Sequence, residues 1–304
     1  MAAPFGQQAG NDPESTAAPP AVPGWIRGLA LLPLGFWYAF ARLLAWIAAL
    51  VNHRGHVVQP NLQIAFPERD ARSIRELTRQ FYWGYAQVLV ELVKAARMSP
   101  QEMRQRVTVA GLGPLRQALD GGRPVIVLAA HQCNWEWLLL GLCSELGYPV
   151  DAAYKPLINP WADQAMLAIR SRFGARLVPA QNLLGDILAR RKLARAIAIN
   201  ADQEPVQSEN KHWLRFLNRD SAFYTGPEEI ARATRYPVWF LKIRRERRGH
   251  YAVEAVPLWD AAEKLAPGEF TERYAAMAEA QIRAAPADWP WTHKRWKLQR
   301  SLYS

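Results

Sequence analysis

Cysteine is nearly absent from this sequence: Cys133 and Cys143 are the only two in 304 residues, and they form no C-x-x-C pair. That excludes a disulfide scaffold and a cysteine metal framework, and it fits a reducing compartment. Several catalytic signatures are missing as well. No G-x-S-x-G occurs, against a serine hydrolase of the nucleophile-elbow type. H-E-x-x-H is absent, and no second histidine lies near His131 in sequence, so a zinc site has little to build on. There is no P-loop, and Gly111-Leu-Gly113 carries only the start of a dinucleotide-binding fingerprint. Near the N-terminus no basic region precedes the apolar stretch, which begins too late for a signal peptide. Acidic residues are in deficit: 27 Asp and Glu against 38 Lys and Arg give a net charge of +11 and a pI near 9.9. Such a surplus favours an acidic partner, whether anionic lipid, nucleic acid or acidic protein.

What is present is apolar and tryptophan-rich. Half the residues are hydrophobic and 13 are Trp, enough for a full core with rings left over for a membrane–water interface or a Trp-rich interior. Residues 1–23 are rich in Ala, Pro, Gln, Gly and Ser without apolar period, and read as a disordered tail. Residues 24–54 read as a membrane helix. Gly28 to Val51 is apolar apart from Arg42 and long enough to cross a bilayer. Arg42 at mid-span would cost about 3 kcal/mol unless it snorkels. The segment therefore reads either as one tilted span or as a helix lying in the interface, with Trp25, Trp37, Trp46 and Arg42 near the head groups.

Residues 55–304 form the expected main domain. Helical spacing runs from about Arg69 to Ala96 through Ile74, Leu77, Phe81, Val88 and Leu92. Strand-like runs at Val107–Leu112, Pro124–Ala130, Val150–Tyr154, Arg176–Val178, Ala194–Asn200 and Val238–Ile243 then alternate with helical stretches. Tyr251–Val256 is expected to pair with the last run as a hairpin, residues 201–225 read as irregular, and Pro267–Ala284 reads as a long helix. The alternation predicts an α/β domain around a central, largely parallel sheet flanked by helices.

The chemistry concentrates in Ala129-Ala-His131-Gln-Cys-Asn-Trp-Glu136-Trp, where a buried strand ends and a helix begins. Ligands of open α/β sheets bind at such strand exits. His131 falls at the exit, Asn134 is a candidate cap, and Glu136 lies in the first helical turn. An imidazole there can take a proton from an attacking hydroxyl, and a carboxylate on its far nitrogen can fix the tautomer. A buried, hydrogen-bonded histidine of purely structural purpose fits the same spacing. Cys133 is a weaker candidate nucleophile, because two residues of separation along one segment rarely bring a thiolate against its base.

Beyond this block the sequence resembles the late acyltransferases of lipid A biosynthesis, which carry an H-x-x-x-x-[DE] signature. Asn61-Leu-Gln-Ile-Ala-Phe-Pro-Glu68 resembles the family's opening and His131 to Glu136 its catalytic block. Tyr154-Lys-Pro-Leu-Ile-Asn-Pro160, Ala201-Asp-Gln-Glu204, and Phe223-Tyr-Thr-Gly226 with Tyr236-Pro-Val238 resemble its later blocks. Trp289-Pro-Trp-Thr-His-Lys-Arg-Trp-Lys297 resembles its closing motif. The resemblance implies a glycerolphosphate-acyltransferase-like fold behind an N-terminal membrane helix. It implies transfer of a fatty acyl group from acyl carrier protein to a hydroxyl of an anionic glycolipid, a lipid A precursor, at the cytoplasmic face of the bacterial inner membrane. No metal or tightly held cofactor and no nucleic acid are implied. His131 would be general base and Glu136 its partner, with Asn134, Lys155, Arg170, Asp202 and Gln203 as candidates for binding donor, acceptor or oxyanion.

Three positions depart from the family pattern. Cys133 stands where a small residue, often Gly, is common. Lys155 replaces an Arg and lacks its planar fork. Glu204-Pro205 leads into Val206–Lys211, unlike the usual Gly-rich loop. These leave open the same chemistry on another glycolipid, a lysophospholipid or a polyene lipid. A basic, non-catalytic membrane- or nucleic-acid-binding protein rests on charge alone, since no RNA-recognition module is visible. Arg244, Arg245, Arg247 and Arg248, and Lys294, Arg295 and Lys297 interleaved with Trp289, Trp291 and Trp296, are the expected contacts to anionic partners.

Overall fold

A computed structural model describes residues 20–205 and 210–298. Most of the expected tail, and part of the unusual loop after Pro205, lie outside the described residues.

The chain begins with three helices, α1 (Gly24–Leu29), α2 (Leu34–Leu50) and α3 (Gly55–Ala65), followed by the long α4 (Ala71–Ala95) and α5 (Pro100–Arg106). An α/β alternation follows: β1 (Val107–Ala110), α6 (Leu112–Asp120), β2 (Val125–Ala129), α7 (Trp135–Leu146), β3 (Val150–Tyr154), α8 (Pro160–Arg170), β4 (Ala175–Pro179), α9 (Leu183–Ala189) and β5 (Ala196–Asn200). The last part holds the hairpin β6 (Lys211–Phe216) and β7 (Arg219–Tyr224), α10 (Gly226–Thr234), the hairpin β8 (Val238–Arg247) and β9 (His250–Trp259), and α11 (Glu269–Ala284). The main sheet has seven strands in the order β1-β9-β8-β2-β5-β3-β4. All neighbours are parallel except the β8–β9 hairpin. The largely parallel sheet flanked by helices is the architecture that the alternation predicts.

The central strands are buried on both faces, as parallel sheets require. Along β2, Ile126 and Leu128 enter one core with Ile197, Ile199 and Phe240. Val125, Val127 and Ala129 enter the opposite core with Ala196, Trp239 and Leu241. The period of two thus divides one apolar run between two layers.

The N-terminal segment is not one membrane helix. Pro33 cannot continue α1 and instead serves as N-cap of α2. Asn52 and Arg54 adopt left-handed φ of 49° and 52°, and α2 and α3 meet at 88°. Among the described residues no single helix is long and apolar enough to cross a membrane, although α2 and α3 together pass that test as a bent pair. One face of α2 packs on α4 through Trp37, Tyr38, Ala41 and Ala45. Lys94 Nζ donates to the carbonyls of Ala30 and Leu32 at 2.9 and 3.1 Å, satisfying acceptors that the break leaves open.

The β6–β7 hairpin falls where the sequence reads as irregular. Its turn places Leu217 and Asn218 at φ 52° and 63°, and β6 has no alternation of buried and exposed residues to betray it.

Tyr274 ties the two strands that end at the candidate site. Its hydroxyl donates to the Ala129 carbonyl at 2.9 Å and accepts from the Ala201 N–H at 3.1 Å, all buried. Tyr274→Phe leaves both backbone groups unpaired and is expected to cost about 1–3 kcal/mol, read as a lower urea midpoint at unchanged slope.

Candidate active site

β2 and β5 lie side by side with Ala129 opposite Asn200. Two residues beyond each, at the carboxyl ends of the sheet, stand His131 and Asp202. The imidazole and the carboxylate meet: His131 Nδ1 lies 2.6 Å from Asp202 Oδ1. The second oxygen, Oδ2, accepts from the His131 backbone N–H at 3.0 Å and from the Trp289 indole N–H at 2.8 Å. Asp202 has no exposure, whereas the His131 side chain is 18 % exposed.

Burial opposes ionisation of Asp202, but His131 beside it, their hydrogen bond, the Trp289 N–H and the His131 backbone N–H outweigh it. They hold the carboxyl below its usual range. An ionised carboxylate only accepts, so Nδ1 must carry a proton, and in the neutral imidazole Nε2 keeps its lone pair. The Trp135 ring meets the imidazole edge-on, centroids 5.3 Å apart. The geometry suits a general base whose tautomer is fixed by a buried acid.

Glu136 is not the carboxylate hydrogen-bonded to the imidazole, which corrects the pairing expected from sequence. Asn134 caps α7 and Trp135 takes the position facing His131, so Glu136, one step further round the helix, turns toward α8. There Arg170 holds it in a bidentate pair, Nε–Oε2 2.8 Å and Nη2–Oε1 2.6 Å, and the Trp135 indole donates to Oε1 at 3.0 Å. Burial lowers the Arg170 pKa less than the Glu136 hydrogen bond and charge raise it, so the guanidinium is held above its usual value. Arg170 Nη1 makes no hydrogen bond among the described residues. Glu136 and the half-buried Arg170 thus form one unit that fixes the ring lying against His131.

The remaining candidates separate. Asn134 is fully buried, its Oδ1 accepting from Trp137 N–H at 2.9 Å and its Nδ2 donating to Glu91 at 2.8 Å. It serves as a cap and a support. Lys155, after β3, and Gln203, beside Asp202, are exposed at the same end of the sheet. Cys133 is buried, and burial, then the Asp288 charge, push its thiol well above the ordinary value. Its φ of 51° is left-handed, a conformation that glycine adopts without strain, which accounts for the small residue common at this position in the resembled family.

Sequence reasoning passed over several residues that complete the site. Gln132 is buried and donates to the Ala285 carbonyl at 2.8 Å, and the Cys133 N–H donates to the Asp288 carbonyl at 2.8 Å. Arg295 Nε donates to the Asp202 carbonyl and Nη2 to the Ala222 carbonyl, both at 2.7 Å. His293 has its pKa lowered to about 4, first by burial and then by the positive charge His131 carries when protonated. The closing W-P-W-T-H-K-R-W segment therefore supports the site. Trp289, Trp291 and Arg295 are buried, so they are not the interfacial patch that their interleaved pattern suggests.

Beyond the carboxyl end of β3, Leu157 and Ile158 on the connection and Trp161 at the start of α8 are exposed, and Trp161 stacks on Trp25 of α1 at 4.9 Å.

Comparison with known proteins gives a consistent result. The family model described as bacterial lipid A biosynthesis acyltransferase matches residues 20–298. A lipid A biosynthesis acyltransferase of Haemophilus influenzae is 22 % identical over 253 residues, spanning 82 % of this chain and 78 % of that protein.

Because the folded pKa of Asp202 is depressed, its ionised form contributes stability that is fully present above the unfolded value near 3.9. That contribution is lost as pH falls through the lower folded value. The stability difference between wild type and Asp202→Asn should narrow as pH falls below about 4, as read from urea unfolding at each pH.

Proposed function

The chain belongs to the bacterial lipid A biosynthesis acyltransferase family, and from that premise we propose that it moves a fatty acyl group from acyl carrier protein to a hydroxyl of a lipid A precursor, at the cytoplasmic face of the inner membrane. The observation that carries the mechanism is the His131–Asp202 pair at adjacent strand ends.

His131 Nε2 accepts the proton of the acceptor hydroxyl as its oxygen attacks the thioester carbonyl, and the tetrahedral oxyanion forms. The imidazolium is stabilised by Asp202, whose acidity leaves it charged throughout. The proton then passes from Nε2 to the departing thiolate as the carbonyl re-forms, and the acyl group has exchanged sulfur for oxygen. The acceptor supplies the nucleophile, so the buried, high-pKa thiol of Cys133 has no part. Glu136 and Arg170 place the Trp135 ring against the imidazole. Lys155 and Gln203, exposed at the rim, suit the donor's phosphopantetheine or the acceptor's phosphate.

The net charge of +11 matches an acidic carrier protein and an anionic acceptor. The apolar residues Leu157, Ile158 and Trp161 suit the lipid side of the reaction, and the exposed stripe on α2 suits an interface with the bilayer. The unusual sequence after Glu204 favours keeping a second acceptor in view, another glycolipid or a lysophospholipid handled by the same chemistry.

Purified full-length protein, a panel of acyl carrier protein thioesters and total lipid extract, read by mass spectrometry, test the assignment. His131→Ala is expected to abolish transfer. Asp202→Asn should lower kcat by about 10³–10⁴-fold with little change in KM, because the imidazole loses its tautomer control. Glu136→Gln keeps one acceptor for Arg170 and should cost less than Asp202→Asn. Near-normal turnover by Asp202→Asn would remove Asp202 from the mechanism, and acylation confined to other lipids would move the acceptor.

A further inference from the structure

Two cavities that His131 does not line join into one cleft. One, of about 550 Å³, is bounded by Gln80, Trp83 and Gly84 of α4, by Arg245 and Asp288, and by Arg42 and Arg248. The other, of about 680 Å³, runs along α2 past Gly35, Ala39, Leu43 and Trp46. Arg42, Trp83 and Arg248 line both.

Charge in this cleft is unbalanced. The single carboxylate on its wall, Asp288, is taken by Arg245 through bonds of 3.0 and 2.8 Å. Nearby, Glu76 is engaged by Arg79 and Gln80, and Glu246 by Arg244. Arg42 has no hydrogen bond or ion pair among the described residues. Arg248 meets only the Tyr38 ring, 4.7 Å from its centroid, and pairs with no carboxylate among those residues. Both side chains belong to exposed residues. The Trp83 indole N–H likewise has no partner in that set. Two arginines and an indole thus line an opening whose other wall is apolar. That wall continues onto the exposed stripe of Phe36, Phe40, Leu43, Trp46, Ile47 and Leu50, at helical spacing.

A phosphate oxyanion satisfies the guanidiniums, and an acyl chain covers the stripe. A soluble anion would use only the first half of the cleft, and an uncharged lipid only the second. We propose that this cleft binds one anionic phospholipid of the bilayer, its phosphate between Arg42 and Arg248 and a chain along α2. This deepens the membrane part of the function proposed above and rests on it. The lipid is a seat for the enzyme, distinct from the acceptor that His131 acts on.

Native mass spectrometry of the full chain in detergent tests this with dioleoyl phosphatidic acid, dioleoylglycerol and inorganic phosphate as probes. One phosphatidic acid should bind at least tenfold more tightly than dioleoylglycerol and should resist displacement by millimolar inorganic phosphate. Arg42→Gln with Arg248→Gln should weaken it at least tenfold, and Ala39→Trp, which fills the exposed apolar wall, should weaken it by a different route. Equal binding by the double variant, equal binding of dioleoylglycerol, or displacement by inorganic phosphate would overturn the site. With a detergent-dispersed acceptor Ala39→Trp should transfer acyl groups within twofold of wild type; a parallel loss would make the acceptor the occupant and overturn the separate seat. If wild type transfers nothing while phosphatidic acid binds as described, the proposed reaction falls and the lipid site stands.

Discussion

One buried carboxylate organises the site. Asp202 is fully enclosed, and taking a carboxylate out of water costs several kcal/mol even after relaxation. Its two oxygens recover that cost from three donors: the imidazole and main chain of His131, and the Trp289 indole. The bonds reach into distinct parts of the chain, so the same interaction closes the fold. β2 and β5 are locked at their ends, the closing segment is pulled across them, and Arg295 extends the lock to β7 through the Asp202 and Ala222 carbonyls. Arg295 is nearly fully buried, with its guanidinium 4.6 Å from the centroid of the Phe223 ring, and burial lowers its pKa to about 10. A cation that costly to bury is tolerated because it satisfies carbonyls which would otherwise be unpaired.

Behind this lock lies a second buried acid. Glu91 accepts from Tyr38 of α2 at 2.9 Å, from Asn134 at 2.8 Å and from Tyr251 of β9 at 2.6 Å, while its backbone carbonyl takes the Trp137 indole at 3.0 Å. The loop from Ala130 to Asn134 needs such a backing. It carries a non-glycine residue with φ of 51° and a fully buried glutamine, a conformation costing about 1–3 kcal/mol that persists only where its surroundings over-determine it. Glu91 clamps one end of the loop through Asn134, and the Ala285 and Asp288 carbonyls clamp the middle through Gln132 and Cys133. His131 is thereby aimed by neighbours buried behind it.

The sequence made the sheet and the position of His131 legible because both are local. β2 is a continuous apolar run, α7 begins at a polar cap, and their junction is where α/β proteins bind ligands. The partner of the histidine was not local. Spacing along one segment favoured Glu136, five positions on, whereas the structure supplies Asp202, 71 residues away, through the register of β2 and β5. The signal was present in the parallel endings of two buried strands, Ala129-Ala-His131 and Asn200-Ala-Asp202, and strand order was needed to use it. The Trp-rich ending misled for the converse reason. Tryptophan and arginine suit an interface and a buried polar lock equally well, and composition cannot separate them. The β6–β7 hairpin stayed hidden because Leu217 is no turn former and the first four residues of β6 are all half-buried, with no alternation.

The proposed placement at a membrane surface is constrained by how α2 is held. Seventeen residues at about 1.5 Å each give a helix of about 25 Å, short of the roughly 30 Å hydrocarbon core. Its inner face is not free, because Trp37, Tyr38, Ala41 and Ala45 are buried and Tyr38 reaches Glu91 in the heart of the domain. To span a bilayer, α2 would have to shed that packing and leave Glu91 one donor short, at a cost of about 1–3 kcal/mol for the unpaired acceptor alone. Lying flat costs neither. In the proposed placement the exposed outer face, with Phe36, Phe40, Leu43 and Ile47, would meet the acyl region, and Arg42, which would be expensive at mid-membrane, would stay at head-group depth. The arginine that argues against a span is what an interfacial helix requires, and the buried hydrogen bond of Tyr38 keeps that helix in register with the loop that carries His131.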